Sequence, residues 1–245
     1  MNFSHVLISR PAPEAAELAE LVKSAGLVPV CLTAFAYEPA FAGLDFHNAW
    51  SDQSRRLAIF CSPRAVEFGL RQLPAGFLDE IEIAAIGPAT ADLLELAGHT
   101  VTILPKKEFN SESLLAHRAL LERPGKALIF AAPGGRQHLY DSLAERNWEV
   151  EFAHVYCAVP ITPETEDLEP LLHSSGVLSV WTSAKALDHL SRALDSRTWD
   201  ILRRGAFILT SQRLANLAKN HFPASMHVTD GPGNDAIMRC ILHLN

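Results

Sequence analysis

Four stretches of this sequence recur in the same order at an offset of about 122 residues, which restricts the chain to two copies of one small folding unit. Leu7-Ile8-Ser9-Arg10, a helical period and Leu27 to Val30 answer to Leu128-Ile129-Phe130 through Gly135-Arg136, a helical period and Trp148 to Phe152. Ile59 to Val66 answers to Val180 to Leu187, and Ala84 to Gly87 answers to Phe207 to Thr210. Asn110 to Leu121 answers to Asn234 to Leu244.

Within each copy, short β-branched runs alternate with amphipathic helical periods. This is the pattern of a parallel sheet covered on both faces, an α/β doubly wound lobe. The spacing predicts strands over 5–9, 27–32, 57–61, 83–86, 100–104, 126–131, 149–155, 178–182, 206–210 and 226–229. Helices are expected from Glu14 to Ala25, where Leu18, Leu21 and Val22 share a face, and from Ala89 to Ala97, with Gly98 closing the end. Ser111 is expected to cap a further helix ahead of Leu114-Leu115. Two stretches break the pattern. Phe35 to Pro39 and Val155 to Pro160 are extended, end in proline, and read as connectors between lobes.

Composition narrows the function classes. Apolar residues are 48% of the 245, enough for two cores, and the charged fraction is 20%. The net charge of -7 and the absence of a dense Lys/Arg run exclude nucleic acid as a main partner. No apolar run approaches the roughly 20 residues that a membrane span needs, so no membrane partner is expected. The N-terminus enters Val6-Leu7-Ile8 without a basic leader, and Cys31, Cys61, Cys157 and Cys240 stand singly in apolar surroundings. Both point to a cytoplasmic protein with buried, reduced cysteines.

Ligands of open parallel sheets bind beyond the carboxyl ends of the strands. The turns there are Ser9-Arg10-Pro11, Ser62-Pro63-Arg64, Gly87-Pro88-Ala89-Thr90, Gly134-Gly135-Arg136, Ser183-Ala184-Lys185 and Ser211-Gln212-Arg213. Hydroxyls, helix N-terminal N–H groups and cations would converge on one edge of each sheet, a layout suited to a polyanion. The alternative is plain helix capping by the same serines.

Other chemistries find no footing. The turn after the first strand is Ser9-Arg10-Pro11-Ala12-Pro13 rather than GxGxxG, and no GxxxxGK[ST] or GxSxG occurs. Histidines such as His5, His47, His99 and His138 form no ligand pair, so no metal is expected. No strong nucleophile or base stands out. A reaction here would depend on positioning and hydrogen bonding.

Taken together, Val6-Leu7-Ile8-Ser9-Arg10-Pro11, Ile59-Phe60-Cys61-Ser62, Ala85-Ile86-Gly87-Pro88-Ala89-Thr90-Ala91, Gly134-Gly135-Arg136, Val155-Tyr156 and Val180-Trp181-Thr182-Ser183 resemble the uroporphyrinogen-III synthase family almost from end to end. Ser211 to Ala215 and Gly233 to Ala236 are similar to its enterobacterial-type branch. The resemblance implies a lyase that closes hydroxymethylbilane, an octacarboxylate, to uroporphyrinogen III. Water is lost and ring D inverted through an azafulvene and a spiro intermediate, without metal or organic cofactor.

The family's organisation implies that one lobe is inserted in the other. Lobe one would be 1–34 with 163–245, lobe two 40–154, and 35–39 with 155–162 would form a two-stranded hinge beside the cleft. The repeat alone would instead cut the chain near residue 123.

Carried over by motif, Tyr156 matches the family's cleft tyrosine, which helps the hydroxyl leave; the alternative is a connector aromatic that only packs. Thr90 matches the threonine of the IGxxT turn, or is an ordinary first-turn hydroxyl. Ser62 and Ser183 match its strand-end serines, or are simple N-caps. Arg10, Arg64, Gly87, Gly134, Gly135, Arg136, Lys185, Ser211 and Arg213 complete the expected substrate-binding set. Two departures stand out: Leu209-Thr210-Ser211-Gln212-Arg213 lacks the Gly-Pro and the threonine, and Ala131-Ala132-Pro133 replaces a frequent Arg-Gly. The expected protein is a cytoplasmic monomer. Its rival is a non-catalytic two-lobed binding protein or sensor for an anionic small molecule.

Overall fold

A computed structural model describes residues 3–12, 14–40, 55–219 and 225–245. The chain opens with β1 (His5–Ile8), α1 (Glu14–Ser24), β2 (Val28–Cys31) and β3 (Phe35–Pro39). It continues through β4 (Arg56–Phe60), α2 (Pro63–Leu70), β5 (Glu82–Ala85), α3 (Pro88–Leu96), α4 (Ser111–Leu115), α5 (Arg118–Glu122), β6 (Lys126–Ala131), α6 (Gln137–Glu145) and β7 (Glu149–His154). It returns through β8 (Tyr156–Pro160), α7 (Thr165–Leu172), β9 (Val177–Trp181), α8 (Ala184–Ala193), α9 (Ser196–Arg204), β10 (Ala206–Leu209), α10 (Gln212–Ala218), β11 (Ser225–Val228) and α11 (Asn234–Leu244).

The chain divides into two compact units, Met1–Ala36 with Val159–Asn245, and Tyr37–Ala158. The discontinuous unit holds a parallel sheet of order β11-β10-β9-β1-β2, and the continuous unit a parallel sheet of order β5-β4-β6-β7. The orders correspond strand for strand along the repeat: β10-β9-β1-β2 matches β5-β4-β6-β7. β3 and β8 pair as a two-stranded sheet, and the unit boundary falls inside both strands.

Each sheet is apolar on both faces because each is covered on both. In β1, Leu7 faces the core built with α7 to α10, while Val6 and Ile8 face the core built with α1 and α11. In β6, Leu128 and Phe130 face α2 and α3, while Ala127, Ile129 and Ala131 face α4, α5 and α6. Phe60 and Phe130 stack with ring centroids 4.3 Å apart. Gly69 of α2 lies so close that a Cβ there would come 3.1 Å from the Phe130 ring. Burying each ring contributes about 1.5–3 kcal/mol.

At the amino edge of the continuous unit, Arg55 holds four partners together. Its Nε and Nη2 donate to the Glu82 carboxylate at 2.8 and 2.7 Å, and Nη1 donates to the carbonyls of Ala119 and Arg123, both at 2.6 Å. The guanidinium also lies 5.1 Å from the Trp148 ring.

Three local expectations are corrected. The strand expected over 100–104 is reduced to a single bridge between Ile103 and Ala84. The N–H groups of Thr102 and Ile103 both donate to the Ile83 carbonyl, a bulged arrangement that stops the ladder, and Pro105 has no N–H to resume it. The cap of α4 is Asn110 rather than Ser111: its side-chain oxygen accepts from Ser113 N–H at 2.8 Å. Of the four cysteines expected to be buried, Cys31 is exposed because β2 is an edge strand, Cys157 and Cys240 are half-buried, and Cys61 is buried. Among the described residues no helix is long and apolar enough to cross a membrane.

Candidate functional site

The strand order reverses between β4 and β6 in one unit, and between β9 and β1 in the other. At such a point neighbouring loops diverge to opposite faces and leave a crevice at the carboxyl edge. The residues beside these points are Ser62-Pro63-Arg64 with Gly134-Gly135-Arg136, and Ser183-Ala184-Lys185 with Ser9-Arg10.

In the continuous unit, β4 ends at Phe60, and Ser62 takes extended backbone to cap α2, accepting from Ala65 N–H at 3.1 Å. The same Oγ lies 3.2 Å from the Tyr156 hydroxyl, where β7 passes into β8. The Tyr156 ring is stacked on Phe68 at 5.6 Å and meets Tyr37 edge-to-face at 5.8 Å. The Arg64 guanidinium lies 4.2 Å over the Tyr37 ring. The Tyr156 ring thus packs, and its hydroxyl lies against a second hydroxyl.

A second group surrounds the turn after β6. Gly134 takes φ 73°, and Arg136 takes a left-handed conformation (φ 65°) at the N-terminus of α6. That conformation costs a non-glycine residue roughly 1 kcal/mol or more. α6 has no side-chain cap, and the Arg136 Nη1 donates instead to Ser111 Oγ at 3.2 Å. Arg136 also lies within electrostatic reach of Cys61, whose thiol burial pushes up to about 12, so that group stays protonated and inert beside Ser62. Gly87 begins α3, again without a side-chain cap, and approaches Phe109 so closely that a Cβ would stand 3.3 Å from it. Thr90 is buried in the first turn of α3, its N–H bonded to the Gly87 carbonyl.

In the discontinuous unit, Ser9 is buried and donates to the Val180 carbonyl at 2.8 Å, so it ties β1 to β9. Arg10 donates from Nη1 to Asn234 Oδ1 at 2.6 Å, at the start of α11. Ser183 and Ser211 cap α8 and α10, accepting from Ala186 N–H at 3.4 Å and Leu214 N–H at 3.2 Å. Lys185 and Arg213 are exposed in the first turns that follow.

The structure thus brings Ser62, Arg64 and Tyr156 together, and sets Gly134, Gly135 and Arg136 at the next turn of the same edge. Gly87 and Thr90, after β5, flank the Ser62 turn on its other side. Arg10, Ser183, Lys185, Ser211 and Arg213 occupy the carboxyl edge of the other sheet. Sequence reasoning missed Tyr37, Asn234 and Ser111 as partners of the expected residues. The hinge pairing expected of 35–39 with 155–162 sets β3 beside β8 but does not show which side chains meet across it. Following the repeat would have related Asn234, the first residue of α11, to the Asn110-Ser111 start of α4.

The chain is similar to known proteins over most of its length. The family described as HEM4, Uroporphyrinogen-III synthase HemD, matches residues 16–234. The uroporphyrinogen-III synthase of Escherichia coli (strain K12) is 28% identical over 96% of this chain and 99% of its own length. That of Salmonella typhimurium is 34% identical over 64% of this chain and 65% of its own. Among solved structures, the Helicobacter pylori uroporphyrinogen-III synthetase covers 99% of this chain and 100% of its own, with a TM-score of 0.68 at 15% identity. A mutant Thermus thermophilus enzyme covers 98% of each chain, with a TM-score of 0.60 at 16% identity. Two parallel-sheet units with these strand-end turns, and a family match over most of the chain, lead to one conclusion: the chain belongs to the uroporphyrinogen-III synthase family.

Proposed function

We propose that this chain converts hydroxymethylbilane to uroporphyrinogen III, and that it does so as a cytoplasmic monomer. The observation that carries the reading at the level of residues is the Tyr156 hydroxyl, held 3.2 Å from Ser62 Oγ at the carboxyl edge, beside Arg64. The reaction loses one water and has no net change in oxidation level, so it balances without a redox cofactor. Its first step breaks the bond between the terminal carbon of the bilane and its hydroxyl. The Tyr156 O–H donates to that leaving oxygen, while Ser62 Oγ fixes the direction of the phenol. The azafulvene left behind is then attacked by the far end of the chain, through a spiro intermediate that inverts ring D.

Nothing in this scheme needs a strong nucleophile. It needs a flexible octacarboxylate held in one folded shape, which is the task of distributed cations and free helix N–H groups. Arg64, Arg136 and the uncapped starts of α3 and α6 serve that task on one sheet edge, with Gly87, Gly134 and Gly135 allowing the backbone to approach. In the discontinuous unit the corresponding turns carry Arg10, Lys185 and Arg213, with Ser183 and Ser211 capping the helices that carry the last two. Thr90 contributes its hydroxyl beside the α3 terminus.

The test is a coupled assay with hydroxymethylbilane that resolves the isomers of the product. Isomer III is the expected result; isomer I alone, as arises spontaneously, would overturn the reading. Thr90→Val then isolates its hydroxyl: the expected loss is in kcat, and unchanged kinetics would remove Thr90 from the scheme.

A further inference from the structure

Tyr37 lies on β3, in a segment with no catalytic pattern, yet two of the proposed site residues meet on its ring. The Arg64 guanidinium stands 4.2 Å over the ring centroid, where the electron-rich face attracts a cation. The Tyr156 ring approaches at 5.8 Å and 68°, the edge-to-face geometry that aromatic quadrupoles favour. On its other contact, Tyr156 stacks on Phe68 at 5.6 Å and 23°. We infer that Tyr37 is a positioning residue for this reaction, its ring holding the Tyr156 phenol against Ser62 and the Arg64 cation beside it.

A tyrosine bound only through its hydroxyl keeps rotamer freedom, and the phenol must point at one oxygen to assist its departure. Two ring contacts remove that freedom, and they come from different elements: Phe68 from α2 and Tyr37 from β3. The pairing of β3 with β8 is what brings Tyr37 to Tyr156. Arg64 has a long, flexible stem, and stacking on Tyr37 fixes its planar group where a carboxylate can meet it. The inference rests on the reading of Tyr156 and Arg64 given above, and the experiment separates the two.

Steady-state kinetics would be measured for Tyr37→Leu and Tyr37→Phe, each alone and on Tyr156→Phe and Arg64→Ala backgrounds. Tyr37→Leu is expected to lower kcat and raise KM, each by about fivefold or more, and Tyr37→Phe, which keeps the ring, to rescue both. On the Tyr156→Phe background the kcat effect should vanish, and on the Arg64→Ala background the KM effect should vanish, because positioning acts only through those side chains. Wild-type kinetics for Tyr37→Leu, or losses that multiply in full on both backgrounds, would overturn the inference. If Tyr156→Phe and Arg64→Ala themselves lose nothing, the site reading falls and the inference with it. If they lose activity and Tyr37→Leu does not, the inference alone falls. Should Tyr37→Leu fail to fold, Tyr37→Met fills the space with a flexible chain lacking a π face and is read in the same way.

Discussion

Arg10 and Asn234 lie 224 positions apart, and the Arg10 Nη1 donates to the Asn234 side-chain oxygen at 2.6 Å. The equivalent cation of the second copy, Arg136, donates to Ser111 at the start of α4, the helix that answers to α11. In both units, the cation that follows the first matched strand is tied to the first residue of a helix matched by the repeat, α11 for Arg10 and α4 for Arg136. The same tie in each unit holds a guanidinium at the carboxyl edge.

Asn234→Ala should therefore weaken substrate binding without touching the chemistry. The expected result is a KM raised by roughly threefold to tenfold with kcat within twofold, the pattern of lost ground-state binding. Arg10→Ala should give the same pattern, and the double variant should add little. Steady-state kinetics checks it, and additive losses would show that Asn234 acts by another route.

Tyr156→Phe should lower kcat by more than tenfold, since a hydrogen bond to the leaving hydroxyl strengthens as that bond breaks. The ring contacts to Phe68 and Tyr37 survive the change, so the thermal midpoint should move by no more than a few degrees. Unchanged turnover would leave Tyr156 with its packing role only.

Arg136→Gly sets stability against binding. Glycine occupies the left-handed conformation without strain, so thermal unfolding should show a midpoint equal to or above the wild-type value. KM should nonetheless rise severalfold, because the cation is gone. A fall in both stability and activity would mean that the tie to Ser111 outweighs the backbone strain.

The Arg55–Glu82 pair predicts an acid limit for the continuous unit. The hydrogen bond from Arg55 holds the Glu82 carboxyl below its ordinary value of 4.5. A depressed carboxyl contributes stability above its unfolded value, and loses it as pH falls through the lower folded value. The thermal midpoint should accordingly fall below about pH 4.5, and fall less steeply in Glu82→Gln, where no carboxylate remains to titrate. Because Glu82 is 41% exposed, the difference should be modest and should shrink in high salt. Identical profiles for the two proteins would refute this.

Much of the architecture was legible because parallel strands buried on both faces leave continuous apolar runs, as in Leu7-Ile8, Leu57 to Phe60 and Leu128 to Phe130. The stretch 100–104, Thr-Val-Thr-Ile-Leu, is equally rich in β-branched residues, but a shared acceptor at Ile83 and the absent N–H of Pro105 limit it to one bridge. Neither can be read from hydropathy. For the site, the residue types were visible and their partners were not. Ser62, Ser183 and Ser211 look alike in sequence, and all three cap a helix, yet only Ser62 also meets a tyrosine hydroxyl. That difference arises from where β8 runs, a long-range pairing with no local signature. Tyr37 was hidden for a similar reason: the pairing of its strand was expected, but its contacts with Arg64 and with Tyr156, about 120 residues on, have no local signature.

The discontinuity of the first unit also sets an order of assembly during synthesis. β1 pairs with β2 on one side and β9 on the other, and β9 is completed only at Trp181. Until then β1 and β2 form at most an isolated two-stranded parallel ribbon, which is too small to persist in water. All four strands of the continuous unit's sheet leave the ribosome before β9 does. The nascent chain therefore carries a finished second unit while its own first segment is still unstructured, and the apolar residues of β1 and α1 stay exposed to other partners during that interval.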